Sequence, residues 1–389
     1  MPTPVATLQV AQPSMGTVSR IPQTTAQPST GAGVPFTRQS RDAQILGPSL
    51  GGQAFGALWT PIMKPVGGYL SAVLIYLTAS GSTLTGGVLP GTTDAPWNTI
   101  QNLFFRDPFG QPIIQASGYT LFLIGIYSGQ LGMLGFGNSP TTLPSFTNIT
   151  AASGNFGPVR FVLPLQLDSS AYCSLPSMNA ASQPQLQVQF NTLSSVYTGG
   201  TTPTTGTQPT LLSAADEPFW MAPVDNPQIA PPDIGSSSQW SEVRAAAGVS
   251  SAAFQRIQLP RVGTFIHTLI LILRDSTGTR IDAWPTSDLT LWLDGVPILF
   301  ESFNERIDAM YAQFGVTRPT GVIVYSFRNS VQTAVSTADT YDRILPTTPA
   351  TLLEISGTFG TITNAPATIT QCTGELFPVG GIPYTHLAN

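Results

Sequence analysis

The stretch Val66-Gly-Gly-Tyr-Leu-Ser-Ala-Val-Leu-Ile-Tyr-Leu-Thr-Ala-Ser-Gly-Ser-Thr83 aligns without gaps to Val262-Gly-Thr-Phe-Ile-His-Thr-Leu-Ile-Leu-Ile-Leu-Arg-Asp-Ser-Thr-Gly-Thr279. Val-Gly, a Leu, a Ser and the closing Thr are identical, and most other positions exchange like for like. Each copy is an aliphatic, β-branched run closed by a Ser/Thr/Gly turn, the pattern of a buried strand. A self-match at this scale marks a duplicated unit and is weighed before any short motif.

Two further matches follow in the same order. Asn102-Leu-Phe-Phe-Arg-Asp-Pro-Phe-Gly-Gln-Pro-Ile-Ile114 parallels Asp288-Leu-Thr-Leu-Trp-Leu-Asp-Gly-Val-Pro-Ile-Leu299. Asp-Pro and Asp-Gly are hairpin turn chemistry. Ser117–Gly132 then parallels Ser302–Gly315. In the later copy Phe303, Ile307, Met310, Tyr311 and Phe314 fall on one helical face. Ser302 and Glu305 have capping-box spacing, and Gly315 sits where a terminal glycine belongs. The earlier copy, SGYTLFLIGIYSGQLG, is apolar throughout and reads equally as helix or strand. The matches are offset by 185 to 196 residues, about half of the 389-residue chain.

Further strands are expected at Val159–Leu167, Leu186–Phe190, Val322–Phe327, Leu352–Phe359 and Thr368–Phe377, with long loops at 129–157, 198–215 and 329–350. The fold class is all-β: two tandem eight-stranded jelly rolls with flanking helices and long loops. The expected division is an N-terminal arm over 1–55, a first roll over 56–222, a Pro-rich connector over 223–252 and a second roll over 253–389. The arm is rich in Pro, Gln, Ser, Thr and Gly and has no sustained apolar period.

Charged residues make up 9% of the chain, against about 25% in an ordinary domain. Gly (37) and Pro (35) are in surplus, and 42% hydrophobic residues exclude a disordered chain. The net charge of −5 leaves no basic footprint for nucleic acid. Residues 1–200 hold six basic and four acidic residues, net +2; the rest hold nine and sixteen, net −7. The N-terminus lacks the basic and apolar regions of a secretory leader. Apolar runs are far shorter than the ~20 residues of a membrane helix. The expectation is a protein soluble when made, in a cytoplasm.

Phe104-Phe-Arg-Asp-Pro followed by Ser117-Gly-Tyr-Thr-Leu121 resembles the paired aromatics, Asp-Pro turn and Ser-Gly-aromatic-x-Leu of tectivirus-type major capsid proteins. Phe161-Val-Leu-Pro-Leu165 and Leu186-Gln-Val-Gln-Phe-Asn191 are similar to the strands that follow in that family's first barrel. The likeness covers roughly residues 60–195; the second half is tied to it by the duplication. It implies a double jelly-roll protein of the adenovirus-hexon lineage, found in the virion and assembled in the host cytoplasm. Such proteins form homotrimeric, pseudo-hexagonal capsomers that tile an icosahedral shell, in many members over an internal membrane enclosing double-stranded DNA. Implied partners are neighbouring capsomers, penton and minor capsid proteins and the internal membrane. The arm then faces inward, with Arg20, Arg38 and Arg41 as inner-face contacts for membrane or neighbours.

No catalytic or metal site is expected, and no cofactor. Glu301, Glu305 and Asp308 are close in sequence, yet Glu305 has a capping role and the others suit a solvated helix end. Asp216-Glu217-Pro218 reads as an acidic turn before the strand Phe219-Trp220-Met221. His267 lies within an apolar strand and reads as structural, while His386 lies in the C-terminal tail. Cys173 and Cys372 read as separate thiols. The sequon Asn148-Ile-Thr150 is expected to go unused without a leader. Two rival functions are a viral spike or receptor-binding β-sandwich and a tandem jelly-roll glycan-processing enzyme. The first calls for a shaft repeat, which the sequence lacks. The second calls for converging acids, which the first half hardly possesses.

Overall fold

A computed structural model describes residues 42–63, 65, 67–81, 94–128, 155–167, 173–177, 183–197, 210–221, 236–245, 248–327, 344–347 and 351–378. The first half contributes β1 (Asp42–Gln53), β2 (Leu58–Trp59), β3 (Gly68–Leu70), β4 (Ala72–Ser80), β5 (Ile100–Arg106), β6 (Pro112–Ala116), β7 (Phe156–Pro164), β8 (Leu175–Ser177), β9 (Gln185–Phe190) and β10 (Thr210–Met221). The second contributes β11 (Ser236–Arg244), β12 (Phe254–Gln258), β13 (Phe265–Arg274), β14 (Leu289–Leu293), β15 (Val296–Glu301), β16 (Val322–Ser326), β17 (Leu345–Pro346), β18 (Leu353–Thr358) and β19 (Thr368–Pro378). Helices α1 (Gly118–Tyr127) and α2 (Phe303–Phe314) follow β6 and β15.

Pairing repeats from half to half. In the first, β10 lies between β1 and the broken strand β3/β4, which is flanked in turn by β7 and β8. In the second, β19 lies between β11 and β13, which is flanked by β16 and β17. The facing sheets are likewise equivalent: β2–β9–β5–β6 against β12–β18–β14–β15. Counting β3/β4, β7/β8 and β16/β17 as single broken strands, each half is an eight-stranded antiparallel jelly roll.

The run that revealed the repeat lies in the interior of each roll. Ile266 and Leu269–Leu273 are fully buried, as are Ala72, Val73 and Leu77. Burial on both faces is why these strands read as unbroken apolar runs. Each such Val, Leu or Ile side chain contributes roughly 1.5–3 kcal/mol on leaving water.

Both long strands carry a bulge at one aligned position. On β13 the ladder to β19 steps from Ile266 opposite Glu375 to Thr268 opposite Gly374, leaving His267 unmatched. In the first roll Ser71 falls between β3 and β4, and the ladder steps from Leu70 opposite Phe219 to Leu74 opposite Asp216. The bulged carbonyls do the same work: Ser71 accepts the Leu165 and Gln166 N–H groups, and His267 accepts that of Phe327. Gly374 is required beside the His267 ring, because a Cβ there would lie 2.4 Å from the imidazole Cε1 and 2.8 Å from Trp240 Cη2.

Several expectations are corrected. Residues 42–53, assigned to the arm, form β1, and residues 236–244, assigned to the connector, form β11; both are held by the last strand of their own roll. Asp216-Glu217-Pro218 is not a turn but lies within β10, and Pro218, which has no N–H, falls opposite the Ser71 bulge. Residues 210–215 also belong to β10, and 344–347 include β17. SGYTLFLIGIY is a helix, with all ten α1 residues buried. A helix covered on every side needs no polar face and so shows no period. On α2, Tyr311 is exposed, while Arg306 is buried over the Tyr325 ring and near Glu301.

Candidate functional site

The two rolls meet along a seam built from both halves. β11 of the second roll pairs in parallel with β6 of the first, Trp240 opposite Ile114 and Ser241 opposite Gln115. This pair makes one sheet of strands from both rolls. Behind it, Tyr127 of α1 meets Phe314 of α2 edge to face at 4.9 Å.

Charge fastens the seam. Asp94, buried in the first roll, accepts from Arg274 Nη1 at 2.5 Å and from Arg280 Nε at 2.7 Å, both in the second. The guanidinium carbons of Arg274 and Arg280 lie 5.3 and 4.4 Å from the centre of the Tyr119 ring on α1. Arg280 also donates to the Thr320 carbonyl and Arg274 to the Gly278 carbonyl. Cations over an aromatic face gain about 0.5–2 kcal/mol when partly desolvated. Burial raises the Tyr119 hydroxyl far above its ordinary value, so it stays protonated.

Helix capping differs between the halves in a way that links them. At α2 the Ser302 hydroxyl accepts the Glu305 N–H at 3.2 Å, and the Glu305 carboxylate accepts the Ser302 N–H at 2.6 Å. Gly315 closes that helix at φ +68°. At α1 the residue matching Glu305 is Thr120, and no side chain of α1 caps Ser117 N–H. Glu242 of β11 takes that role across the seam, accepting the Ser117 N–H at 2.6 Å. A cleft of about 280 Å³ opens beside it, lined in part by Gln115, Ser117, Glu242 and Arg244.

Among the described residues the other candidates do not converge on a reaction centre. Glu301 pairs with Arg306 at 3.4 Å, Glu305 is held in its cap, and Asp308 is exposed. The buried Glu375 receives both arms of the Arg261 fork at 2.8 and 2.9 Å and a short bond from Thr373 Oγ1. His267 Nδ1 lies 3.0 Å from Thr268 Oγ1, with its ring edge-on to Trp240. Cys173 and Cys372 are buried and unbridged. Burial, reinforced by nearby Glu242 and Glu375, pushes the Cys372 thiol up and keeps it protonated. Among the described residues no group of three or more His, Cys, Asp or Glu could hold a metal, and no helix is long and apolar enough to cross a membrane. Arg20, Arg38, Arg41, Asn148 and His386 lie outside the described residues.

Sequence reading missed Asp94, Arg274, Arg280 and Glu242 as seam residues. Two signals pointed to them: Asp94 is one of four acids in the first 200 residues, and Thr120 stands where the second copy has Glu305.

Two jelly rolls of one strand order, joined side by side in one chain, define a double jelly-roll protein. Solved structures of this architecture include viral major capsid proteins. The STIV major capsid protein matches with TM-score 0.61 and 14% identity over 90% of this chain and 99% of that one. A chain in the atomic structure of Sulfolobus turreted icosahedral virus matches with TM-score 0.62 and 12% identity over 90% and 94%. The major capsid protein of bacteriophage PM2 matches with TM-score 0.50 and 11% identity over 88% and 100%. At these identities the likeness is one of fold. No family model matches the sequence, and a search of curated proteins finds no match.

Proposed function

We propose that this chain is the major capsid protein of an icosahedral virus, a structural protein of the virion shell and not an enzyme. Three copies form a pseudo-hexagonal capsomer, and capsomers tile the shell over an internal membrane enclosing double-stranded DNA. The observation that carries this reading is the side-by-side pair of equivalent rolls, which lets three chains present six near-equivalent units. Low charge supports it as well, because the cores of subunit interfaces are depleted in charge and enriched in aromatics. The acids that a glycan-processing enzyme would use are held by Arg261, Arg306 and the α2 cap. Residues ahead of β1, with Arg20, Arg38 and Arg41, serve as the inward arm that contacts membrane or neighbouring capsomers. Penton and minor capsid proteins complete the shell, with no cofactor and no sequence-specific nucleic-acid contact.

The test is mass in solution followed by electron microscopy. A particle of three times the 41.1 kDa chain mass with a hexagonal outline is expected. A compact monomer that hydrolyses glycans would overturn the reading. Deletion of residues 1–41, which spares β1, should leave trimers intact and block shell or membrane association. Loss of trimers instead would assign the arm to the capsomer itself.

A further inference from the structure

The seam inside the chain has two unmatched halves elsewhere. β6 takes β11 on its outer edge, but its counterpart β15 ends its sheet with no strand beyond it among the described residues. Among the described residues β11 pairs on both edges, whereas its counterpart β1 pairs with β10 alone. One chain therefore carries a free copy of each partner in its own internal joint.

The β15 edge carries one proline, Pro297, and one acid, Glu301, but is otherwise apolar and uncovered among the described residues. Its sequence is Val-Pro-Ile-Leu-Phe-Glu, with no lysine, and Val296 and Phe300 are 61% and 71% exposed. Natural proteins blunt such edges with charge or cover them. Phe300 occupies the position that Gln115 holds in the internal seam, at the 185-residue offset relating β6 to β15. At the 196-residue offset relating β4 to β13, Trp240 and Ser241 fall on Gln44 and Ile45 of β1.

We infer that β15 of one chain receives β1 of a second copy as a parallel neighbour, repeating between chains the joint that β6 and β11 make within each. This rests on the capsid reading and names the surface through which its trimer forms. The expected register sets Gln44 beside Leu299 and Ile45 beside Phe300. Capping agrees with it. Glu242 is needed at the internal seam because α1 cannot cap Ser117 N–H, whereas Ser302 N–H is already taken by Glu305. The residue of β1 at the Glu242 position is Leu46, which supplies no acid where none is required. Two different edges meeting in this way make a head-to-tail contact, which closes as a ring when its rotation allows.

The full-length chain carrying Phe300→Cys and Ile45→Cys is compared, after mild oxidation, with a control carrying Gln115→Cys and Ser241→Cys. Strands paired at this distance suit a disulfide. The first pair should yield a covalent trimer on a non-reducing gel, and the control an internal bridge without change in mass. Independently, Phe300→Asp should lower the solution mass from trimer to monomer with the melting of the individual chain unchanged. A wild-type trimer that persists in Phe300→Asp overturns the inference and leaves the capsid reading standing. So does a trimer in which the control closes and the Phe300/Ile45 pair does not link chains. A wild-type monomer overturns both.

Discussion

Removing one carboxylate, Asp94→Ala, should loosen the joint between the rolls more than any surface change could. Asp94 is 6% exposed and faces two guanidinium groups at 2.5 and 2.7 Å, whose side chains are 18% and 10% exposed. At an effective dielectric of 20 and a charge separation near 4 Å, each attraction is worth about 4 kcal/mol before desolvation. Deleting one member of a buried pair costs about 3–5 kcal/mol, because the remaining charge is stranded. Here Arg274 and Arg280 keep carbonyl acceptors and the Tyr119 ring, which places the expected loss near the lower end, about 3 kcal/mol. Urea denaturation at fixed protein concentration measures it, with Arg280→Ala and the double variant closing a mutant cycle. A coupling energy of about 1–3 kcal/mol between Asp94 and Arg280 is expected. A loss below about 1 kcal/mol for Asp94→Ala, the scale of an exposed pair, would refute the idea that charge fastens the seam.

Gly374→Ala should destabilise the second roll by about 2–3 kcal/mol through overpacking against the imidazole, and adding His267→Ser, the residue of the first roll's bulge, should recover much of the loss in the same denaturation assay. Ser302→Ala should cost about 1 kcal/mol, whereas Ser117→Ala should cost clearly less, since the Ser117 hydroxyl donates to Thr120 Oγ1 and accepts no backbone N–H at the start of α1. For Asp282, burial works upward, but bonds from Arg318 and from Gly321 N–H outweigh it and hold the carboxyl below the usual range. A carboxyl lowered in the folded state stabilises above its unfolded value near 4, and that contribution fades as pH falls through the folded value. Asp282→Asn should therefore be less stable than wild type at pH 7, with the gap closing as pH falls below the unfolded value near 4 in melts taken across that range.

What could be read in the sequence was whatever depends on neighbours in the chain. The hairpins carry their own turn chemistry: Asp107 Oδ1 accepts the Phe109 and Gln111 N–H groups, and Asp294-Gly295 turns at positive φ. The α2 cap is contained in four residues. β1 and β11 were illegible because their partners lie far along the chain, residues 216–220 for Asp42–Leu46 and 370–378 for Ser236–Arg244. Ser-Ser-Ser-Gln-Trp-Ser-Glu-Val-Arg has little apolar alternation, and its strand form comes from β19 and the seam. α1 was ambiguous for the opposite reason, since burial on all sides erased its period. The seam acids and arginines are 180 and 186 residues apart, and no local rule connects them.

The Glu242–Ser117 bond also sets a schedule for synthesis. The carboxylate that completes the start of α1 lies 125 residues downstream. At about 5–20 residues per second, a ribosome takes roughly 6–25 s to make that stretch. During this interval the first roll also lacks β10 until its last strand emerges, so β1 is without its partner and β4 pairs with β7 alone. The first roll can close its sheet once β10 is made, whereas the start of its helix is finished only by the opening strand of the second. Coupling the halves in this order gives the chain a reason to fold as one unit, in which the first half made alone is left with an unfinished helix and a bare β6 edge.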